Sequence, residues 1–162
     1  KLIIVNGPHP NVFGRERANN PAQQEASGYM SFFRAPNSED ALAANDFEML
    51  QGIFQDILTE EEMVIYKEAW GQPDALRSGL NWYRANTGEN ESSDSLPPIT
   101  VDIPTLVLWG MKDSALLPGN LVGLDDYVPN LTIQEFPDAT HWIIHEEPDA
   151  VSTAMLEFIQ AD

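Results

Sequence analysis

Apolar residues fall along this chain in two rhythms, short β-branched runs at its beginning and end and helical spacings of three and four between them. Lys1-Leu2-Ile3-Ile4-Val5 reads as a buried strand, and Asn6-Gly7-Pro8-His9-Pro10 after it demands a turn, since glycine and two prolines forbid continued strand or helix. From Pro21 to Phe33, Ala22, Ala26, Tyr29, Met30 and Phe33 lie on one helical face, and Pro36 stops that helix. Ser38 opens a short helix to Ala44, with Glu39 and Asp40 in the first turn where the helix dipole favours acids, and another runs from Asp46 to Phe54.

Thr59 and Glu62 form a capping-box signature ahead of the stripe Met63, Tyr66 and Trp70, and Gly71 ends that helix. Pro73 restarts the chain at a favoured first helical position, with Leu76, Leu80 and Tyr83 on one face up to Ala85. Thr87 to Pro98 has almost no apolar content and reads as an exposed connection. Beyond it, Thr105–Trp109 is a strand, Asn120–Tyr127 a helix, Leu131–Phe136 a strand and Pro148–Ile159 a helix carrying Val151, Met155, Leu156 and Phe158. Strand and helix alternating in that way imply right-handed parallel crossovers. The organisation expected is a core strand and hinge at 1–10, a helical block with its connection at 11–98, and an α/β segment at 99–162.

Composition narrows the partners. The 162 residues, 43% hydrophobic, suffice for one sizeable core. With 26 acidic against 8 basic residues the formal net charge is -18, which repels phosphate backbones and argues against nucleic acid or an anionic membrane as partner. The apolar runs are too short to span a bilayer. Cysteine is absent, which removes disulfides, thiol nucleophiles and Cys-type zinc sites, and nothing argues for secretion, pointing to the cytoplasm. A strand at the first residue with no initiator Met reads as the downstream part of a longer protein.

In an open parallel sheet, functional groups gather at the carboxyl ends of the strands. Asp113 follows one strand and His141 the next, so topology can join them as an acid that orients an imidazole. Asp before His is also the order of the last two members of an α/β-hydrolase triad.

Leu108-Trp109-Gly110-Met111-Lys112-Asp113, Pro137-Asp138-Ala139-Thr140-His141-Trp142 and Leu80-Asn81-Trp82-Tyr83-Arg84 together resemble the epoxide hydrolases of the α/β-hydrolase fold, from Lys1 to the final helix. The resemblance implies the C-terminal part of that α/β fold, parallel strands with flanking helices plus an all-helical cap insertion. It implies a cofactor-independent opening of a small apolar epoxide by water: a carboxylate forms a covalent alkyl-enzyme ester while two cap tyrosines hold the epoxide oxygen, and histidine-activated water hydrolyses the ester. By motif, His141 matches the base, Asp113 the charge-relay acid, Tyr83 one cap tyrosine and Tyr29 the other. Phenols near pKa ~10 suit this task, since they donate to an alkoxide without being ionised at neutral pH.

The nucleophilic aspartate of that family has no counterpart here, because Asp46, Asp56, Asp94 and Asp102 lack a strand-turn-helix setting. The partner expected is therefore the N-terminal half of the same hydrolase or a complementary chain, and the 162 residues alone are expected to be inactive. A dehalogenase of the same fold, a serine esterase, or a non-catalytic subunit are the alternatives. Blander readings exist for each residue. His141 fits a polar loop position, Asp113 a turn with Asp138 as competing acid, and Tyr83 a core aromatic, with Tyr66 and Tyr127 as other tyrosines. Phe33, Trp82 and Trp142 fit either a substrate pocket or plain core. His9 reads as a turn residue near the hinge, and His145-Glu146-Glu147 lacks the spacing of a metal site.

Overall fold

A computed structural model describes residues 1–54, 56–86 and 97–161. The chain forms two compact units, Lys1–Ser27 with Ser92–Asp162, and Gly28–Glu91. The first is built on a parallel sheet of β1 (Leu2–Val5), β2 (Thr105–Gly110) and β3 (Leu131–Phe136), in that spatial order. Leu2 pairs with Thr105 and Thr105 with Leu131, so the three strands start level; β2 and β3 end together at Gly110 and Phe136, and β1 ends two residues earlier with Val5 opposite Leu108.

Every residue of the central strand is buried. Its side chains alternate between two cores, as the two-residue pleat requires. Leu106 and Leu108 join Phe136, Ile143 and Val151, while Val107 and Trp109 join Val12, Leu116, Leu124 and Val128. A central strand covered on both faces needs a continuous apolar run rather than an alternating one, which is what residues 106–109 supply. Helices α1 (Pro10–Asn19) and α2 (Pro21–Ala26) belong with this unit, so by packing residues 11–27 go with the sheet.

The second unit contains α3 (Tyr29–Arg34), α4 (Ser38–Phe54), α5 (Glu60–Trp70) and α6 (Ala75–Asn86). Thr59 and Glu62 cap α5 reciprocally, side chain to backbone in both directions. Phe54, Tyr66 and Trp70 pack as an aromatic cluster, with Phe54 and Tyr66 ring centroids 4.8 Å apart. Arg84 on α6 donates to the Ala35 carbonyl, to Ser38 Oγ and to Glu39 Oε2 at 2.6 Å, fastening α6 to the start of α4. The chain closes with α7 (Ile143–Glu146) and α8 (Pro148–Gln160), both part of the first unit.

Several expected elements are altered. The single helix over Pro21–Phe33 is two, parted at Ser27 and Gly28, where the Ser27 side chain accepts from buried Gln23. Helix α1 escaped the periodicity reading because it offers only Val12 and Phe13 to the core. The helix expected at Asn120–Tyr127 is instead two short 3-10 turns, Pro118–Leu121 and Leu124–Asp126, interrupted by Gly123 at φ +68°. Pro73 does not begin α6, because Asp74 at φ +59° intervenes. The expected break between Ala44 and Asp46 is present as a non-helical kink inside α4, with Asn45, Asp46 and Phe47 at positive φ. Most of the exposed connection expected at Thr87–Pro98 lies outside the described residues. Among the described residues, no helix is long and apolar enough to cross a membrane.

The capping box generates a local stability test. Thr59→Ala leaves backbone donors of the first turn of α5 unsatisfied and is expected to destabilise that helix by about 1 kcal/mol. Faster amide exchange at the start of α5, restored by Thr59→Ser, is the measurement that checks it.

Candidate active site

The neighbouring carboxyl ends of β1, β2 and β3 set the positions of three polar residues. β2 ends at Gly110, after which the Met111 N–H donates to the Phe136 carbonyl and the Lys112 N–H to the Ala139 carbonyl, both at 2.9 Å. These bonds continue the ladder past the strands and lash the Asp113 turn to the loop that carries His141. The crossing needs glycine: a Cβ on Gly110 would lie 2.0 Å from the Thr140 carbonyl oxygen and 2.7 Å from that of Ala139.

Asp113, only 2% exposed, sits at the centre. Its Oδ1 accepts the N–H groups of Ala115 at 2.8 Å and Leu116 at 2.9 Å. Its Oδ2 accepts from Asn6 Nδ2 and lies against His141 Nδ1, each at 2.7 Å. Burial pushes this carboxyl up, but the hydrogen bonds from His141, the Leu116 N–H and Asn6 outweigh burial and hold it below the usual carboxylate range. With donors on both oxygens there is no room for a proton on the acid. The proton of the pair therefore resides on His141 Nδ1, so that in the neutral form of the ring Nε2 is the acceptor.

The His141 ring is partly exposed and meets the edge of Trp142 at 5.1 Å. Thr140 before it is held by Glu146, whose Oε2 accepts the Thr140 N–H at 2.7 Å and its hydroxyl at 3.1 Å. Glu146 is thereby a loop brace, a role that the absence of metal-site spacing in His145-Glu146-Glu147 does not reveal. Asp138, the competing acid, points to solvent and pairs with Lys112 at 2.7 Å. His9 lies at the N-cap position of α1, buried and stacked on Tyr127 at 4.7 Å, and burial pushes its imidazole pKa down.

Within the second unit, Tyr29 on α3 and Tyr83 on α6 approach edge to face at 6.0 Å. Phe33, one turn after Tyr29, contacts both, at 5.3 Å from Tyr29 and 4.9 Å from Tyr83. Burial pushes the Tyr83 phenol up, offset in part by a hydrogen bond with Tyr29. Trp82 packs edge-on against Tyr83 but is 59% exposed. Tyr66 and Tyr127 are engaged in the aromatic contacts already described. The fold thus brings Asp113 to His141 in one unit and Tyr29 to Tyr83 in the other. Asn6 is the residue that sequence reading passed over, as part of a turn; its only signal is an asparagine at the end of a buried strand.

Comparison with known proteins gives consistent neighbours. The chain is 34% identical over 166 residues to the AB hydrolase superfamily protein YfhM of Bacillus subtilis, covering 99% of the chain and 57% of the relative. It is 33% identical over 176 residues to human epoxide hydrolase 4, covering 100% of the chain and 47% of the relative. The crystal structure of Bacillus megaterium epoxide hydrolase in complex with an inhibitor superposes with a TM-score of 0.87 at 31% identity, over 99% of this chain and 60% of that one. The chain thus spans about half the length of the curated relatives it matches. No family model matches it.

Two outcomes follow from the geometry. Gly110→Ala forces backbone apart at the strand crossing and is expected to lower stability by about 1–3 kcal/mol or more, read from the denaturation midpoint. Asp113 is lowered from its ordinary value of 3.8, so the unfolded state takes up its proton first. Its contribution is complete above that value and is lost as pH falls through the lower folded pKa. Asp113→Asn should therefore flatten the decline of folding stability in that acid window, measured by denaturation at stepped pH.

Proposed function

This chain is an α/β-hydrolase-fold polypeptide related to the epoxide hydrolases, and we propose that the protein carrying it converts an epoxide and water into a vicinal diol. The observation that carries the reading is the His141–Asp113 pair at 2.7 Å, with the acid saturated by donors and Nε2 left to accept a proton.

In the proposed first step a carboxylate from outside these 162 residues attacks one ring carbon. The carbon–oxygen bond of the epoxide breaks, and the alkoxide oxygen takes a proton from one of the Tyr29 and Tyr83 hydroxyls, leaving a phenolate that regains its proton when the carboxyl released in the second step ionises. An alkoxide is a poor leaving group, so donors to that oxygen are what lower the barrier. In the second step His141 Nε2 removes a proton from water while its oxygen adds to the ester carbonyl carbon. The bond between that carbon and the alkyl oxygen breaks, and the imidazolium returns its proton to the departing diol. Asp113 stays ionised throughout, stabilising the imidazolium and its tautomer. Phe33, Trp82 and Trp142 are proposed to supply apolar substrate contacts. The chemistry assigned to these residues involves no cofactor.

Turnover of a styrene-oxide-like substrate by the protein at its natural length tests this. His141→Gln should trap a covalent adduct heavier by the mass of the epoxide, detected by intact mass. Tyr29→Phe with Tyr83→Phe should slow ring opening by about 100-fold or more. Diol formation unchanged in the double tyrosine variant would sink the epoxide-specific roles, and halide release from a haloalkane without diol formation would indicate a dehalogenase instead.

A further inference from the structure

The Asn6 side chain reaches the ends of all three elements that converge on His141. Asn6 ends the pairing of β1, with its N–H donating to the Leu108 carbonyl at 3.0 Å, and it is 4% exposed at φ +42°. Asparagine tolerates that left-handed conformation better than most residues. The Gly110 N–H donates to Asn6 Oδ1 at 2.9 Å. A backbone N–H can only donate, so this contact fixes the orientation of the amide. Asn6 Nδ2 then faces Asp113 Oδ2 at 2.7 Å and the Thr140 carbonyl at 3.4 Å. All its strong hydrogen-bonding positions are directed at the end of β2, the acid, and the residue preceding His141.

We propose that Asn6 is a positioning residue for the water-activating step, acting through Asp113 to hold His141 in the Nδ1–H tautomer. Its donor lies on the same carboxylate oxygen that His141 engages. Without it, that oxygen keeps a single donor and is free to rotate away from the imidazole or to take up a proton. The Thr140 contact restrains the His141 loop in the same stroke. A turn-forming asparagine would need neither of the Nδ2 contacts. The inference rests on the hydrolytic reading for its kinetic consequence, but its geometric content concerns His141 alone.

Asn6→Asp separates the two roles. The new side chain keeps the left-handed preference and an oxygen for the Gly110 N–H, but presents an acceptor where Asp113 needs a donor. Two readouts are expected to change in the natural-length protein while thermal melting still shows a folded state. A low-field Nδ1 proton resonance of His141 is expected in the parent protein and should disappear in the variant. With an epoxide substrate, kcat should fall about tenfold or more while kcat/KM, which reports ring opening, stays within about twofold, because the ester accumulates. Asn6→Ala, which removes the donor without adding charge, carries the same test should Asn6→Asp fail to fold.

An unchanged His141 resonance and unchanged kcat in either folded variant would overturn the inference and leave the epoxide reading standing. If the parent protein turns over no epoxide, the functional reading fails, while the resonance still decides the role of Asn6.

Discussion

A carboxylate removed from water is tolerable only when its oxygens are filled with donors, and Asp113 imposes that demand on everything around it. Two backbone N–H groups of its own turn meet one oxygen, and Asn6 with His141 meets the other. The donors come from the end of β1, from the loop after β2 and from the loop after β3. Satisfying one buried charge therefore ties together the carboxyl ends of three strands. The same saturation keeps the acid ionised and so decides which imidazole nitrogen is protonated. Structural necessity and chemical readiness share a cause at this position.

The apolar framework makes such a cluster affordable. With β2 buried along its length and packed on both faces, the strand ends cannot shift independently of one another. Gly110 sits where the framework meets the cluster. The Thr140 and Ala139 carbonyls press against its Cα, so the His141 loop lies directly on the end of β2 rather than above it. Glu146 secures the far side of that loop through Thr140. In the second unit the Tyr29, Phe33 and Tyr83 rings form a mutual packing contact instead, and Arg84, next in sequence to Tyr83, fastens α6 to the start of α4.

Runs of one rhythm were legible from residues alone. Residues 105–109 and 131–136 carry enough β-branched and apolar character to be strands in any reading, and the Thr59–Glu62 cap signals its helix through purely local chemistry. Elements that depend on distant contacts were not legible. Helix α1 is held by burial of Val12, which its own sequence does not advertise, and the segment after Pro118 bends into 3-10 turns around Gly123 rather than completing a helix. Asp113 and His141 stood out because each follows a strand. Asn6 did not, because a lone asparagine before Gly-Pro has an adequate local explanation as a turn.

By itself, then, the sequence determined where the strands and most helices lie, that the strands run parallel, and which carboxylates, imidazoles and phenols are available. Those properties reside in local periodicity, capping and strand-end placement. Tertiary structure decided which carboxylate serves His141, choosing buried Asp113 over Asp138, which is drawn to solvent by Lys112. It also decided that Asn6 completes the acid's donors and that Gly110 must lack a side chain. These are matters of distance between residues as many as 107 positions apart, and distance exists only once the strands have been laid side by side.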